Sequence, residues 1–468
     1  MSALSVQGAS SFAGKSLVVT ALARAFRRRG VRVAPFKAQN MSNNARVVDG
    51  GEIGVAQYLQ ALAAKVEPDV RMNPILVKPE GDDRSQLVLL GRVDHDLSRR
   101  SWRARPPSLW PVAAEALQDL LAEYELVLLE GAGSPAETNL RSTDLSNMRS
   151  AHAAEAPVVL VADIDRGGAF AHLHGTWALV TNEDRRLLRG FVLNKFRGDE
   201  RLLAPAPEDL ERATGMAYAG LLPFVDHGLP DEDGAASPPG RPGSPRVAAV
   251  RYPTASNLDE LKPLEQVAEL VWARRADDLG GADLVVLPGS KRVSADLAWL
   301  REQGLGEAVL AAARRGTRVL GICGGQQMLG GEIVDAGGVD GDAVGLALLP
   351  VKTTFERTKR IESVEVTFAR LPWPWHVLSG MTVRGYEIRH GETVARSSVA
   401  EAIPGGRGFV HESVLGISFH GAFEQPELVE ALFGRRPSRP LEAVFEGLAD
   451  LAEERLDMDE LARLAGVA

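Results

Sequence analysis

Short unbroken apolar runs recur along the chain, separated by longer stretches in which apolar residues return every three or four positions. Continuous apolar runs are the signature of strands buried on both faces, and the periodic stretches are that of amphipathic helices. In alternation they predict parallel sheets covered by helices on both sides. In the first half the pattern predicts strands at 4–7, 31–36, 126–130, 158–162 and 191–194, with helices at 15–29 and 112–124 among the connections. The same grammar resumes later, with strands at 247–250, 284–287, 319–322 and 414–419 and a long helical stretch at 294–315. Between the halves, "LPDEDGAASPPGRPGSPR" (229–246) loses all periodicity to Pro, Gly, Ser and charge, and reads as a linker. The predicted fold class is α/β: two doubly wound, mostly parallel-sheet domains at 1–228 and 247–436. An acidic amphipathic helical tail at 437–468 follows as a packed appendage. The halves share a fold class but no motif, and there is no internal repeat.

Composition narrows the class without changing the architecture. A length of 468 residues is too much for one ordinary core. With 45% hydrophobic and 25% charged residues, and no apolar run long enough to cross a bilayer, the chain reads as globular with no membrane role. The N-terminal "MSALSVQGASSFAGKS" lacks the layout of a signal peptide, and a single cysteine excludes an internal disulfide, so a reducing cytoplasm is the expected location. A net charge of −9 argues against nucleic acid as a partner. The basic "RRRG" at 27–30 is expected to be a solvated helix end rather than a docking site.

"GASSFAGKS" (8–16) follows the first strand and opens the first helix. Counted from Ala9 it fits G-x-x-x-x-G-K-[ST] except at the first glycine; Gly8 to Gly14 encloses five residues, one more than the pattern. Backbone N–H groups at a helix N-terminus can cradle phosphates, Lys15 can reach the terminal phosphates, and Ser16 can hold Mg²⁺. The plainer alternative is a glycine-containing turn with an exposed lysine. The order strand, loop, helix favours nucleotide binding. Glu130 ends a buried strand where a carboxylate can serve Mg²⁺, and Asn194 ends another where an amide can read a base.

Cys323, the only cysteine, lies in "GTRVLGICGGQQMLGG" (316–331), where a strand turns at once into a helix. Glycines at 321, 324 and 325 allow the sharp elbow that pushes a nucleophile out at the sheet edge. The N–H of Gly324 can donate to an oxyanion, and Gly289 in "LPGS" (287–290) offers a second donor. His420 in "GISFHGAFE" stands at another strand end on the same edge and is the candidate proton carrier. Alone, each would read as core; together they predict a Cys–His pair.

The "GICGGQQ" elbow and the strand-end "FHG" resemble class I glutamine amidotransferases. "PFKAQNMSNNA", "DGGEIGVAQ", "MNPILVKP", "EGAGSPAE", "VADIDRGGAF", "NKFRGD" and "VRGYEIRHG" resemble the cobyric acid synthase family, in order and over nearly the whole chain. The resemblance implies an N-terminal P-loop NTPase-like domain of the dethiobiotin-synthetase type and a C-terminal class I glutaminase-like domain. It also implies a reaction: Cys323 attacks the side-chain amide of L-glutamine and His420 moves the protons. ATP then activates carboxylates of a corrinoid, adenosylcobyrinic acid a,c-diamide, for amidation by the released ammonia. By motif position the resemblance assigns Gly14, Lys15, Ser16 and Lys37 to phosphates, Ser16, Glu52 and Glu130 to Mg²⁺, and Asn194 to adenine. Ser134, Glu137, Asp163, Asp165 and Arg166 fall to the corrin carboxylate and acyl phosphate. A homodimer is kept open as the assembly.

The sequence departs from the pattern in places. The phosphate loop has Ala9 and Phe12 where the family more usually has Thr and Asp, and Gln326 replaces a usual Tyr. His390 falls where the family often has Met and receives no catalytic role. Class I glutaminases orient the histidine with a glutamate two residues later, but that position is Ala422 and the nearest carboxylate is Glu424. The expectation is therefore a Cys–His dyad, with His420 set by a backbone carbonyl or loosely held, and a modest glutaminase. Two rival readings stay open: a cobyrinic acid a,c-diamide synthase, and a non-catalytic P-loop ATPase carrying a degenerate glutaminase.

Overall fold

The computed structural model describes residues 2–81, 84–229, 243–396 and 399–467. In the first unit six parallel strands run in the order Ala217–Pro223, Leu188–Phe196, Val158–Asp163, Ser2–Gly8, Leu126–Glu130, Val33–Phe36. Their apolar runs are buried from both sides, as continuous hydrophobicity requires. Because the strands are parallel, their C-terminal ends share one edge, where the phosphate loop, Glu130, Asp163 and Asn194 emerge. The helix Lys15–Arg28 starts from Gly14, whose φ of 96° suits glycine, and buries Val18, Val19, Leu22 and Phe26 against the sheet.

The second unit holds seven strands. Glu269–Ala273, Arg246–Val250, Leu284–Leu287, Arg318–Ile322 and Val414–Ile417 are parallel, and Gly408–His411 and Ala400–Ile403 close the edge antiparallel. The helical stretch expected at 294–315 is two helices, Val293–Glu302 and Leu305–Arg314, broken at Gly304 with φ 69°. The strand expected at 414–419 ends at Ile417, and His420 instead bridges to Tyr386.

The apolar pattern missed the smaller sheets. A hairpin of Ala45–Val48 and Gly51–Gly54 leaves the first unit, beside a sheet containing Ile75–Pro79 and Ser85–Leu89. The second unit carries two long antiparallel strands, Val351–Thr367 and Thr382–Ala395. The units meet where Ala45, Leu76 and Val88 pack on Tyr386 and Ile388.

Of the expected linker at 229–246, residues 230–242 lie outside the described residues, and Arg246 already opens a strand. The tail forms helices Leu441–Arg455 and Met458–Ala465, which return to the first unit and bury Phe445, Leu448 and Leu461 with Leu22 and Phe26. The basic helix end is consequently a docking surface, contrary to the expectation of a solvated one: Arg28 pairs with Asp450 at 2.7 Å and Arg29 with Asp459 at 3.1 Å. No helix among the described residues is long and apolar enough to cross a membrane.

Candidate functional site

Cys323 sits between Arg318–Ile322 and the short helix Gly324–Leu329 with φ 51° and ψ −107°. A non-glycine residue adopts that backbone only when its surroundings impose it, and such strain is typical of a nucleophile elbow. The elbow leans against the neighbouring strand end: a Cβ on Gly325 would lie 1.8 Å from the carbonyl oxygen of Leu287, and one on Gly324 2.7 Å from the nitrogen of Ser290. Gly289 abuts the histidine, since a Cβ there would meet His420 Cε1 at 2.7 Å. The structure thus brings Cys323, His420, Gly289 and Gly324 to one point.

The histidine is not loosely held. Its Nδ1 lies 2.7 Å from Oε1 of Glu260, and Oε2 of the same carboxylate accepts the Gly421 N–H at 2.8 Å. Glu260 is fully buried and projects from the 3₁₀ segment Leu258–Gln266, which follows Asn257 at φ 54°. The expected dyad is therefore corrected to a triad of Cys323, His420 and Glu260, completed from the opposite end of the domain sequence. Glu424, the nearest carboxylate in sequence, turns instead to Arg46 at 2.5 Å. Burial pushes the His420 imidazole down, but attraction and hydrogen bonds from Glu260 and Cys323 outweigh it and raise it to about 10. Tyr386 stacks on the ring, with centroids 5.4 Å apart, and trades backbone hydrogen bonds with it.

A cavity opens on Cys323. Gln327, Lys291 and Lys359 of the second unit line it, together with Asn43 and Lys78 of the first. Glu52 stands behind it, fully buried and paired with both Lys78 and Lys359. Burial lowers the Lys359 ammonium to about 7, with repulsion from Lys78 and Lys291 adding to the effect and Glu52 opposing it. Burial also pushes His390 down, to about 4. Glu52, expected at Mg²⁺, instead has both carboxylate oxygens taken by Lys78 and Lys359 beside the cavity, whereas Glu130 is held by Ser16, Lys37 and Gln60.

At the other sheet edge the phosphate loop is assembled. Ser16 Oγ donates to Glu130 at 2.9 Å, Lys37 donates to the same oxygen at 2.7 Å, and Gln60 donates to the other at 2.5 Å. Lys15 Nζ reaches across the loop to the Gly133 carbonyl at 3.4 Å. A Cβ on Gly8 would strike Ser10 and Gly133 backbone oxygens, so the cradle requires glycine there. Ser16 and Glu130 present hard oxygen donors beside that cradle, a set that fits Mg²⁺. Among the described residues no group of three or more His, Cys, Asp or Glu gathers to hold a metal.

Asn194 is fully buried beneath the loop. Its Nδ2 donates to the Ala13 carbonyl at 2.9 Å and its Oδ1 accepts the Lys195 N–H at 2.8 Å. Expected at the adenine, its amide is here engaged with the loop backbone. Lys195, which the sequence reading passed over, links Asp163 at 3.0 Å to the Phe12 carbonyl at 2.7 Å. Asp165 pairs with Arg197 at 3.0 Å, while Arg166 lies 3.9 Å from Asp163 and is exposed. Ser134 is buried in a turn, its Oγ accepting the Ala136 N–H at 3.2 Å, and Glu137 is exposed.

Known families agree with this architecture. Residues 4–229 match the CobQ/CobB/MinD/ParA nucleotide binding domain, and residues 246–428 match the CobB/CobQ-like glutamine amidotransferase domain. Fold and site together define a glutamine-dependent amidating ligase: a nucleotide-binding unit joined to a glutaminase unit. Cobyric acid synthase of Polaromonas sp. (strain JS666 / ATCC BAA-500) is 51% identical, covering 98% of this chain and 97% of its own. Those of Polaromonas naphthalenivorans (strain CJ2) and Leptothrix cholodnii (strain ATCC 51168 / LMG 8142 / SP-6) are 52% and 49% identical, over 98% and 99% of this chain and 98% and 96% of theirs. The chain belongs to the cobyric acid synthase family.

Proposed function

We propose that the chain amidates the b, d, e and g carboxylates of adenosylcobyrinic acid a,c-diamide, giving adenosylcobyric acid, with ATP and glutamine. The observation that carries the glutaminase half is the Glu260–His420 contact of 2.7 Å behind Cys323. Cys323 Sγ attacks the side-chain amide carbon of glutamine, and the N–H groups of Gly289 and Gly324 receive the oxyanion. His420, protonated against Glu260, passes a proton to the departing nitrogen, so ammonia leaves and a thioester remains. Water, deprotonated by His420, then releases glutamate. The cavity walls carry Lys78, Lys291, Lys359 and Arg389 against Asp340, with Glu52 and Glu80 paired to the lysines from behind, which leaves the walls basic and suited to the carboxylate of the incoming amino acid.

In the first unit a carboxylate oxygen of the corrinoid attacks the terminal phosphate of ATP, ADP departs, and ammonia then displaces phosphate from the acyl phosphate. The loop at Gly14, Lys15 and Ser16, with Lys37, holds the phosphates. Mg²⁺, held by Ser16 and Glu130, supplies charge neutralisation on the phosphate oxygens when bound. Ser134, Glu137, Asp163, Asp165 and Arg166 line the edge where the corrinoid carboxylate arrives. A cytoplasmic location fits the lone reduced cysteine.

The paired test is Cys323→Ala against Lys15→Ala, scored by mass spectrometry of the corrinoid with glutamine or ammonium as nitrogen source. Cys323→Ala is expected to abolish glutamine-dependent amidation and keep the ammonium-dependent reaction. Lys15→Ala is expected to lose both. A wild-type enzyme that leaves the mass of the a,c-diamide unchanged would refute the substrate assignment, including the choice over the a,c-diamide synthase.

A further inference from the structure

The triad belongs to the second unit, yet its supports are gripped by a residue of the first. Arg46, on the hairpin strand Ala45–Val48, is buried and reaches across the boundary between the units. Its Nη1 donates to the Tyr386 hydroxyl at 2.7 Å, and its Nη2 pairs with Asp259 and, at 2.5 Å, with Glu424. The guanidinium also lies over the Tyr386 ring, 5.0 Å from its centroid. Each contact is one step from the catalytic histidine: Tyr386 stacks on His420, Asp259 precedes Glu260 in the chain, and Glu424 follows His420 on the Ala422–Glu424 turn.

The neighbours of Arg46 reinforce the grip. The Ala45 N–H donates to Asn257 Oδ1 at 2.9 Å, and the Leu258 N–H donates to Asn44 Oδ1 at 3.2 Å. Asn257 is the residue whose positive φ starts the segment carrying Glu260. The same stretch of the first unit begins at Lys37, which holds Glu130 at the phosphate loop. Between them, Asn40 donates to Gln57 at 3.2 Å, on the helix whose Gln60 holds the other oxygen of Glu130.

We propose that Arg46 is a positioning residue for the glutaminase: docked between Asp259 and Tyr386, it sets Glu260 and His420, so the triad works only when the nucleotide-binding unit is seated against it. The chemistry is electrostatic. Asp259, Glu260 and Glu424 repel one another beside the site, and Arg46 is the cation that compensates Asp259 and Glu424, leaving Glu260 to the histidine. The proposal rests on the glutaminase reading above. It goes further by making glutamine hydrolysis conditional on contact between the units, which would spare glutamine when the synthetase is not in place.

The test uses the full chain with Arg46→Met, Arg46→Lys and, in case burying an unpaired pair of carboxylates prevents folding, Asp259→Asn. Glutamate release and amidation with ammonium are measured on each. Arg46→Met is expected to lower kcat for glutamine at least tenfold with KM for glutamine within about twofold, and to keep ammonium-dependent amidation. Arg46→Lys is expected to recover part of the loss, and Asp259→Asn to reproduce its pattern in weaker form. Alkylation of Cys323 by a glutamine-like diazoketone, which needs no corrinoid, should slow in parallel. Unchanged kcat in Arg46→Met, or equal loss with both nitrogen sources from a folded variant, would overturn the proposal. A wild-type chain that releases glutamate but never amidates the corrinoid would defeat the substrate reading and leave the positioning role standing.

Discussion

Cys323 and Glu260 show how differently two members of one triad present themselves. The cysteine is announced by local chain geometry, glycines pressed around a strand-to-helix turn at φ 51°. The glutamate is announced by nothing local, because its partner His420 lies 160 positions later and only the fold joins them. Glu260→Gln keeps the shape and removes the charge, and by analogy with triad aspartates it should cost about 10²- to 10⁴-fold in glutamine kcat. The pH profile supplies an independent sign. The working histidine is the protonated one, and its folded value is raised to about 10 from an ordinary 6.5. Glutamine turnover should therefore persist through neutral pH and fall as pH rises through about 10. Removing the Glu260 charge takes away part of what holds the proton on, so the falling limb should move toward acid pH in the variant. A limb that stays in place would show that Glu260 does not set the histidine. Cys323 and His420 are legible in the sequence, since both closely follow apolar strands. The acid is not beside His420 in sequence: Glu260 sits on the 3₁₀ segment Leu258–Gln266, beyond the domain's first strand, where no local pattern marks it.

At the scale of elements, what the pattern revealed and what it hid follow from burial. Strands covered on both faces, such as Leu126–Glu130 and Val158–Asp163, read as unbroken apolar runs. Val351–Thr367 and Thr382–Ala395 intersperse charged residues among the apolar ones because much of their surface is exposed, so they contain no apolar run to notice. The hairpin at Ala45–Gly54 was hidden for another reason: its residues looked like motif, and in the fold they pack against the second unit. Glu52 was assigned to Mg²⁺ on that motif reading, and the tertiary placement between two lysines could not be read from spacing. The elbow itself yields an element-scale prediction. Gly325 has no room for a Cβ, which would sit 1.8 Å from Leu287 O and 2.9 Å from Pro288 O. Both are backbone atoms of the neighbouring strand end, so neither can swing aside. Gly325→Ala should destabilise the second unit by about 1–3 kcal/mol or more, read as a lower denaturant midpoint. Full stability in that variant would mean the elbow and the strand end are less tightly apposed than the structure has them.

Across the whole molecule, the second unit is held by the first at both of its ends. Its first strand begins just beyond the linker, and its last helix leads into a tail that returns to the first unit. The tail was legible as an amphipathic appendage, but its destination was not, because an apolar stripe does not name the surface that covers it. That surface includes Arg24, whose buried side chain pairs with Glu442 at 2.6 Å and Glu446 at 2.5 Å. Phe445, Leu448 and Leu461 are buried with the first unit's core, each worth about 1.5–3 kcal/mol. Just before the tail helix, Arg439 donates its backbone N–H to Gln266 at 2.9 Å and a guanidinium N–H to the Asp226 carbonyl at 2.9 Å. Gln266 closes the very segment that carries Glu260. Tethering at both ends raises the effective concentration of one unit at the other, so docking through Arg46 costs little extra ordering. Ending the chain after Gly434 should therefore act twice. The exposed core should lower the thermal midpoint of the first unit by about 10 °C or more. Below that midpoint, the loosened docking should reduce glutamine-dependent amidation more than the ammonium-dependent reaction, and equal losses would show that the tail serves stability alone.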